Sequence, residues 1–233
     1  MNTKANNPIT LGIEMSNPSA ARDEQSRPHS VAMWNSEGEL LGSAPLPASA
    51  RGSDAVMHAI ASLGDQVGVS ASSIGRVLVS VGPGGYTALR IATTSAKMLA
   101  HTLGASLVAV PSARVASIRI EPGLCPALVA LASKKNRSHA TVIEADGSMR
   151  EVGIIDAEAL ASMGVRSIVS DHHLPASFAE MAGSLGIQIV PLVLDARDLL
   201  LACEGIGDCD PLLLAPLYAR EPDAVTQWRA RGS

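Results

Sequence analysis

Aromatic side chains are scarce in this chain: two tyrosines, two tryptophans and one phenylalanine among 233 residues, 2% of the total. The core must therefore be built from Ala, Val, Leu, Ile and Met. Few rings exist on which unpaired bases would stack, which argues against an autonomous single-stranded nucleic-acid binder. A surplus of positive charge is missing as well. With 18 Lys and Arg against 22 Asp and Glu, the net charge is −4. Neutralising a phosphate backbone needs a basic surface, so only a local basic patch remains for nucleic acid. Cysteine is limited to Cys125, Cys203 and Cys209. They cannot all pair within the chain and their spacing matches no zinc motif, which leaves reduced thiols, as expected of a cytosolic protein. No apolar segment approaches the roughly 18 residues of a membrane span, and the amino terminus lacks the apolar core of a secretion signal. The expected location is the cytoplasm, without membrane contact.

What the chain has is aliphatic: 47% hydrophobic residues against 17% charged, enough for one long domain or two of about 100 residues. The most informative stretch runs from Val77 to Ala100. Val77, Val79 and Val81 alternate with Leu78 and Ser80 as in a strand, Gly82-Pro83-Gly84-Gly85 stops the run, and a helix follows with Thr87 as its expected cap. On that helix Leu89, Ala92, Ala96, Leu99, Ala100 and Leu103 share one face, and Ala88, Ile91, Ser95, Met98 and Thr102 the next. The apolar or small-residue arc spans about 200°, twice the stripe of an ordinary surface helix. Something besides its own sheet is expected to cover it.

Alternating segments at Ile9–Ile13, Ser30–Trp34 and Glu39–Ala44 predict a three-stranded meander, with the polar stretch Asn17–Pro28 as an extended, mobile hairpin tip. A helix starting at Ser53 or Asp54 carries Val56, Ile60, Leu63 and Val67 on one face. A strand at Ser106–Val110 follows a Gly104 cap. The order βββαβαβ predicts a mixed sheet with helices on its faces. A turn-rich break at Glu121–Pro126 marks a lobe boundary. The second half opens on another meander, Ala127–Ala132, Ala140–Glu144 and Arg150–Ile154, before helices and strands alternate again. The two lobes, 1–120 and 121–233, read as a structural repeat without a visible sequence repeat.

Three constellations invite chemistry, each with a plain structural alternative. Gly82–Gly85 running into a helix N-terminus can cradle phosphate. It lacks both the Gly-Lys-Ser/Thr end of a P-loop and the Gly-x-Gly-x-x-Gly spacing, and a tight turn needs the same glycines. Asp171-His172-His173 offers metal-ligand types, yet neighbouring side chains on a regular element point apart. Solvated loop histidines and no metal site are expected. Lys134-Lys135-Asn136-Arg137 is a basic run in a turn, either a solvated tip or a contact for RNA or a partner. No nucleophile stands beside a recognisable base, so hydrolase chemistry has no support.

The central stretch resembles a known family. Gly82-Pro83-Gly84-Gly85-Tyr86-Thr87-Ala88-Leu89-Arg90-Ile91 is similar to the Gly-Pro-Gly-Ser-Phe-Thr-Gly-Leu-Arg-Ile-Gly signature of the TsaB (YeaZ) proteins, and an Ala-x-x-Leu-Ala helix follows at Ala96–Ala100. Glu14-Met15-Ser16, Val108–Ser112 and Pro216-Leu217-Tyr218-Ala219-Arg220 add weaker matches in the same order. Gly82, Pro83, Gly84, Thr87 and Arg90 are the motif residues. The resemblance implies an α/β, actin-like (ASKHA, ribonuclease H-like) fold of two related lobes, each a mixed sheet flanked by helices. It also implies a non-catalytic scaffold supporting TsaD in threonylcarbamoyl transfer to adenosine 37 of ANN-decoding tRNAs. Such a subunit is a heterodimer with TsaD that recruits TsaE, or a homodimer in isolation. It holds no cofactor of its own, ATP and metal residing on TsaD and TsaE, and meets tRNA only through the complex.

In that family the helices matching 53–67 and 87–103 pack on partner helices, which assigns Val56, Ile60, Ala88, Ile91, Ser95, Met98 and Thr102 to the interface. The alternative is an active actin-like kinase or ATPase binding Mg-ATP near Glu14 and Gly82–Gly85. An M22-type glycoprotease would need metal-binding histidines. The chain departs from the pattern at Ser53, where a histidine is usual, and at Ala88 and Ala92, which replace glycines. Asn17–Pro28 is inserted where related kinases hold phosphate, and Ala132-Ser133-Lys134-Lys135 replaces Asp-Ala-Arg.

Overall fold

A computed structural model describes residues 8–20, 29–46 and 53–219. The chain start, most of the Asn17–Pro28 stretch, the linker before Ser53, the Ser53 side chain and Arg220 lie outside the described residues. In chain order the elements are β1 (Ile9–Glu14), β2 (Ser30–Trp34), β3 (Leu40–Pro45), α1 (Ser53–Val67), β4 (Ile74–Gly82), α2 (Tyr86–Leu103), β5 (Ser106–Pro111), α3 (Ser112–Ser117), β6 (Ala127–Lys134), β7 (Arg137–Ile143), β8 (Met149–Ile155), β9 (Ser167–Ser170), α4 (Ala176–Leu185), β10 (Gln188–Pro191) and α5 (Leu199–Ala202).

The strands form two five-stranded sheets, β3-β2-β1-β4-β5 and β8-β7-β6-β9-β10. Each begins as an antiparallel meander and continues with two parallel strands. The same order in both sheets is the structural repeat.

Alternation along the central strands sorts side chains into three cores, as the two-residue period of a strand requires. Val77, Val79 and Val81 of β4 face α1 and α2 in the first core, while Leu78 faces a second core between the sheets. In β6, Val129 and Leu131 enter that same middle core, and Leu128 and Ala130 face a third core with α4 and its only phenylalanine, Phe178. The middle core joins Trp34, Val108 and Val110 of the first sheet to Val169 of the second, with Val115 of α3 and Leu199 of α5 packed among them.

Three expectations need correction. The cap of α2 is Gly85, not Thr87; its backbone is extended (φ −67°, ψ 120°) and no side chain caps the helix. The described start of the Asn17–Pro28 stretch is no exposed tip, since Asn17 and Ala20 are buried. Its geometry is set by the Asn17 amide, which donates from Nδ2 to Asp171 Oδ2 at 2.8 Å across to the other sheet. Lastly, the rings of His172 and His173 do not point apart. They lie in a turn, where the strand rule does not hold, with centroids 4.1 Å apart.

Candidate functional site

Two loops meet at the carboxyl ends of β1 and β4, where the sequence placed its candidate phosphate cradle. Glu14, the last residue of β1, is fully buried. Its Oε1 accepts from the Ser16 amide at 2.7 Å and from the Ser16 hydroxyl at 2.6 Å, bending the chain back over the strand. The Ser16 carbonyl then accepts the Gly85 N–H at 2.7 Å. A Cβ on Gly84 would lie 1.9 Å from that carbonyl oxygen, so only glycine lets the backbones approach so closely. This clasp fixes where α2 begins. Burial raises the Glu14 pKa above the ordinary carboxylate value, opposed by the Ser16 hydroxyl and amide and the nearby Ser80 hydroxyl.

Above the clasp lies an inter-lobe cleft of about 410 Å³. It is lined by Asn17, Pro18, Gly84, Gly85 and Tyr86 from the first lobe, by Ser133, Lys134, Asp171 and His173 from the second, and by Tyr218 near the chain end. The Asn17–Asp171 hydrogen bond crosses it. Asp171 also accepts the His173 N–H at 2.8 Å. Among the described residues no three His, Cys, Asp or Glu side chains are grouped to hold a metal.

The residues assigned to an interface are divided by the structure. Val56 and Ile60 are buried in the first core, as is Ser95 within α2. Ala88 and Ile91 are half-buried, whereas Met98 is 58% exposed and Thr102 is exposed. Among the motif residues, Gly82 and Pro83 are buried in the turn, Gly84 is half-buried, and Thr87 and Arg90 are exposed.

Part of the wide apolar arc of α2 is covered by the chain itself. Helix α1 packs along one side. A carboxy-terminal strap crosses another: Lys97 Nζ donates to the carbonyls of Leu212 and Leu214 at 3.3 and 3.1 Å, and the Leu217 N–H donates to the Val81 carbonyl at 2.7 Å. Its last described residues bring Tyr218 onto Tyr86, ring centroids 4.9 Å apart, with Arg90 5.4 Å from the Tyr86 ring.

Sequence reasoning missed this strap, the Asn17–Asp171 bridge and an ion pair of buried Asp195 with half-buried Arg197, whose guanidinium donates to both carboxylate oxygens at 2.9 and 2.7 Å. Only the Pro216–Arg220 motif signalled that the chain end mattered.

Comparison with known proteins supplies the family. The model of TsaD, tRNA N6-adenosine threonylcarbamoyltransferase, matches residues 33–168, more than half of the chain. No curated protein matches it in sequence. A solved structure described as an uncharacterized protein with similarity to peptidase YEAZ, from Pseudomonas aeruginosa, superposes with a TM-score of 0.66 at 20% identity, covering 91% of this chain and 100% of that one. The structure of YeaZ from the same organism superposes with a TM-score of 0.65 at 20% identity, covering 91% and 99%. The fold is thus the two-lobed, actin-like (ribonuclease H-like) fold of YeaZ, and no helix among the described residues is long and apolar enough to cross a membrane. With its sheets, glycine turn and cleft in this arrangement, the chain belongs to the TsaD family of tRNA N6-adenosine threonylcarbamoyltransferases and their relatives.

Proposed function

We propose that this protein is a non-catalytic subunit of the machinery that makes N6-threonylcarbamoyladenosine in tRNA, a scaffold that pairs with a TsaD-type catalytic subunit. The observation that carries this is the clasp. In an actin-like kinase the first hairpin and the glycine turn hold the nucleotide phosphates between them. Here the Gly85 N–H is used by the Ser16 carbonyl at 2.7 Å, and the Glu14 carboxylate is buried and turned to Ser16. The gap is filled by the chain's own backbone, which speaks against the kinase alternative. Titration calorimetry with Mg-ATP is expected to show no binding by the isolated chain; micromolar binding would favour the kinase.

Association runs through the outward side of α1 and α2. Helix α1 carries Asp54 and Asp65 without Lys or Arg, and α2 carries Arg90 and Lys97 without Asp or Glu. A partner with a similar helix pair, a TsaD-type subunit or a second copy, can set acid against base across the interface. Met98→Glu, at an exposed position, is expected to leave the fold intact while co-purification with TsaD falls at least tenfold. Desolvating an unpaired charge costs several kcal/mol, and each 1.4 kcal/mol is about tenfold in affinity. Unchanged association would remove Met98 from the interface. Ile91 and Thr102 flank the same side, with Ala88 at its start, whereas Val56, Ile60 and Ser95 support it from within the fold.

A further inference from the structure

A sheet edge is a row of unpaired N–H and carbonyl groups, and folded proteins protect such edges by cover, charge, proline or twist. Three of the four sheet edges of this molecule are protected. Along β5 the strap supplies a cover, the Cys209 N–H donating to the Leu107 carbonyl at 2.7 Å. Strand β8 carries exposed Arg150 and Glu151 and a bulge beside Gly153. Strand β10 is four residues long and ends on Pro191. The fourth edge is β3, and it differs. Leu40-Leu41-Gly42-Ser43-Ala44-Pro45 carries no charge, and Leu40 and Leu41 are 47% and 37% exposed. Among the described residues no hydrogen bond reaches this strand except from β2. The ladder with β2 fixes which groups are left over. The Leu46 N–H donates to the His29 carbonyl at 2.6 Å, and the register continues with Ala44 opposite Val31 and Gly42 opposite Met33. Hydrogen-bonded pairs alternate along an antiparallel ladder, so Ala44 and Gly42 turn their backbone groups to β2, while Ser43 turns its N–H and its carbonyl away and Pro45 its carbonyl.

We propose that β3 pairs with β3 of a second copy of this chain, antiparallel about a two-fold axis at Ser43, so that two five-stranded sheets become one of ten strands. Ser43 then faces Ser43, each N–H donating to the other's carbonyl, and Pro45 of each copy comes opposite Leu41 of the other. Two defects of the strand favour its own copy over a foreign one. Pro45 has no N–H to give, and the register shifts at a bulge beside Leu41. A longer foreign strand would meet both defects in turn. In the two-fold pairing they fall opposite each other at the two ends, and the central Ser43 pair is whole. Leu41 of each copy packs on Pro45 of the other, which withdraws exposed apolar surface from water. The far edge of the same sheet is covered by the strap, so the association closes at two copies instead of growing into a filament. Helix α1 lies over β2 and β3, whereas α2 lies over β1, β4 and β5. The contact at β3 therefore leaves Met98 of α2 free, and it is independent of the scaffold reading.

Light scattering on the full-length chain across about 1–100 μM reads the association. A rise toward twice the monomer mass is expected. Ser43→Pro removes a donor that the fold itself does not use and should weaken dimerisation at least tenfold, the equivalent of about 1.4 kcal/mol. Leu41→Lys places on this edge the kind of charge that guards others, and should do the same with the backbone intact. Ser43→Cys tests the register, because directly opposed residues of a hydrogen-bonded pair stand about 5.5 Å apart at Cα, within disulfide reach. After oxidation it should run as a covalent dimer on a non-reducing gel. Ser184→Cys, exposed on α4, should not, nor should the wild type with two of its cysteines buried and the third half-buried. Met98→Glu should dimerise as the wild type does. A monomer at the highest concentration, indifference to both Ser43→Pro and Leu41→Lys, equal cross-linking of Ser184→Cys, or loss of the dimer in Met98→Glu would each overturn the proposal. Co-purification of the wild type with TsaD is measured separately. If it is seen while the chain alone stays monomeric, the β3 pairing fails and the scaffold role stands.

Discussion

At the scale of single residues, Glu14 is the most consequential departure from an ordinary interior. Its carboxyl is buried beneath the clasp, with Oε1 held by Ser16 and Oε2 buried without a hydrogen bond in good geometry. Burial is the largest influence on its pKa and raises it, the Asp195 charge adding to the rise while Ser16 and Ser80 oppose it. The folded state therefore holds the proton more tightly than the unfolded chain. Glu14's stabilising contribution is complete below about pH 4.5, its ordinary value, and is lost as pH rises through the raised folded value. Glu14→Gln keeps the shape and removes the ionisation, so it should raise the melting temperature at pH 8 by a few degrees. About 1 kcal/mol corresponds to about 2–4 °C in a chain of this size. The gain should shrink toward pH 5. Thermal melts across that range decide it, and a variant less stable than wild type at pH 8 would mean that the carboxylate is welcome in its ionised form.

Among the elements, the glycine turn is where local conformation governs the site. A methyl on Gly84 would overlap the Ser16 carbonyl at 1.9 Å, and a backbone atom cannot swing aside as a side-chain tip can. Gly84→Ala should cost about 2–4 kcal/mol, in the range reserved for steric conflict with backbone or core. Gly123→Ala, where an added Cβ meets nothing within 4 Å, serves as the control and should be close to neutral. Denaturant titrations of the two variants measure the difference, and equal midpoints would show that the clasp opens freely. The turn itself was legible in the sequence because Gly and Pro punctuate the valine run of β4, and the Gly104 cap was legible for the same reason; its φ is 64°. The start of α2 was not. The residue Thr87 is a good capping type, but the clasp pulls the helix start two positions back to Gly85, a tertiary demand that no local pattern carries. The wide apolar arc of α2 does signal a need for cover. Its sequence could not say that α1 and the residues around Leu214 supply part of that cover, because the strap lies more than a hundred positions away and has no periodicity. The stacking of Tyr86 on Tyr218 was hidden for the same reason.

For the whole molecule, the repeat of meander and parallel strands was visible because two-residue alternation survives where sequence similarity has vanished, whereas the way the sheets are joined was not. The middle core makes that join. Trp34, Leu78 and Val108 from the first sheet share it with Val129, Leu131 and Val169 from the second, and α3 and α5 fill the space between. Polar links add direction: Arg114 donates to the carbonyls of Ala202 and Glu204 at 3.0 and 2.6 Å, and the Ala196 N–H donates to Ser30 Oγ at 3.0 Å. Lobes that open and close around a ligand need an interface with little buried apolar area, and this one is a continuous core. The two sheets should therefore unfold together. Far-UV circular dichroism and tryptophan fluorescence, followed through the same guanidinium titration, are expected to give coincident midpoints and a single transition. The fragment 1–120, expressed alone, leaves its half of the middle core uncovered and should aggregate or bind a hydrophobic dye. A soluble, cooperatively folded fragment, or two separated transitions in the full chain, would show instead that each lobe carries its own stability and that the cleft between them is free to move.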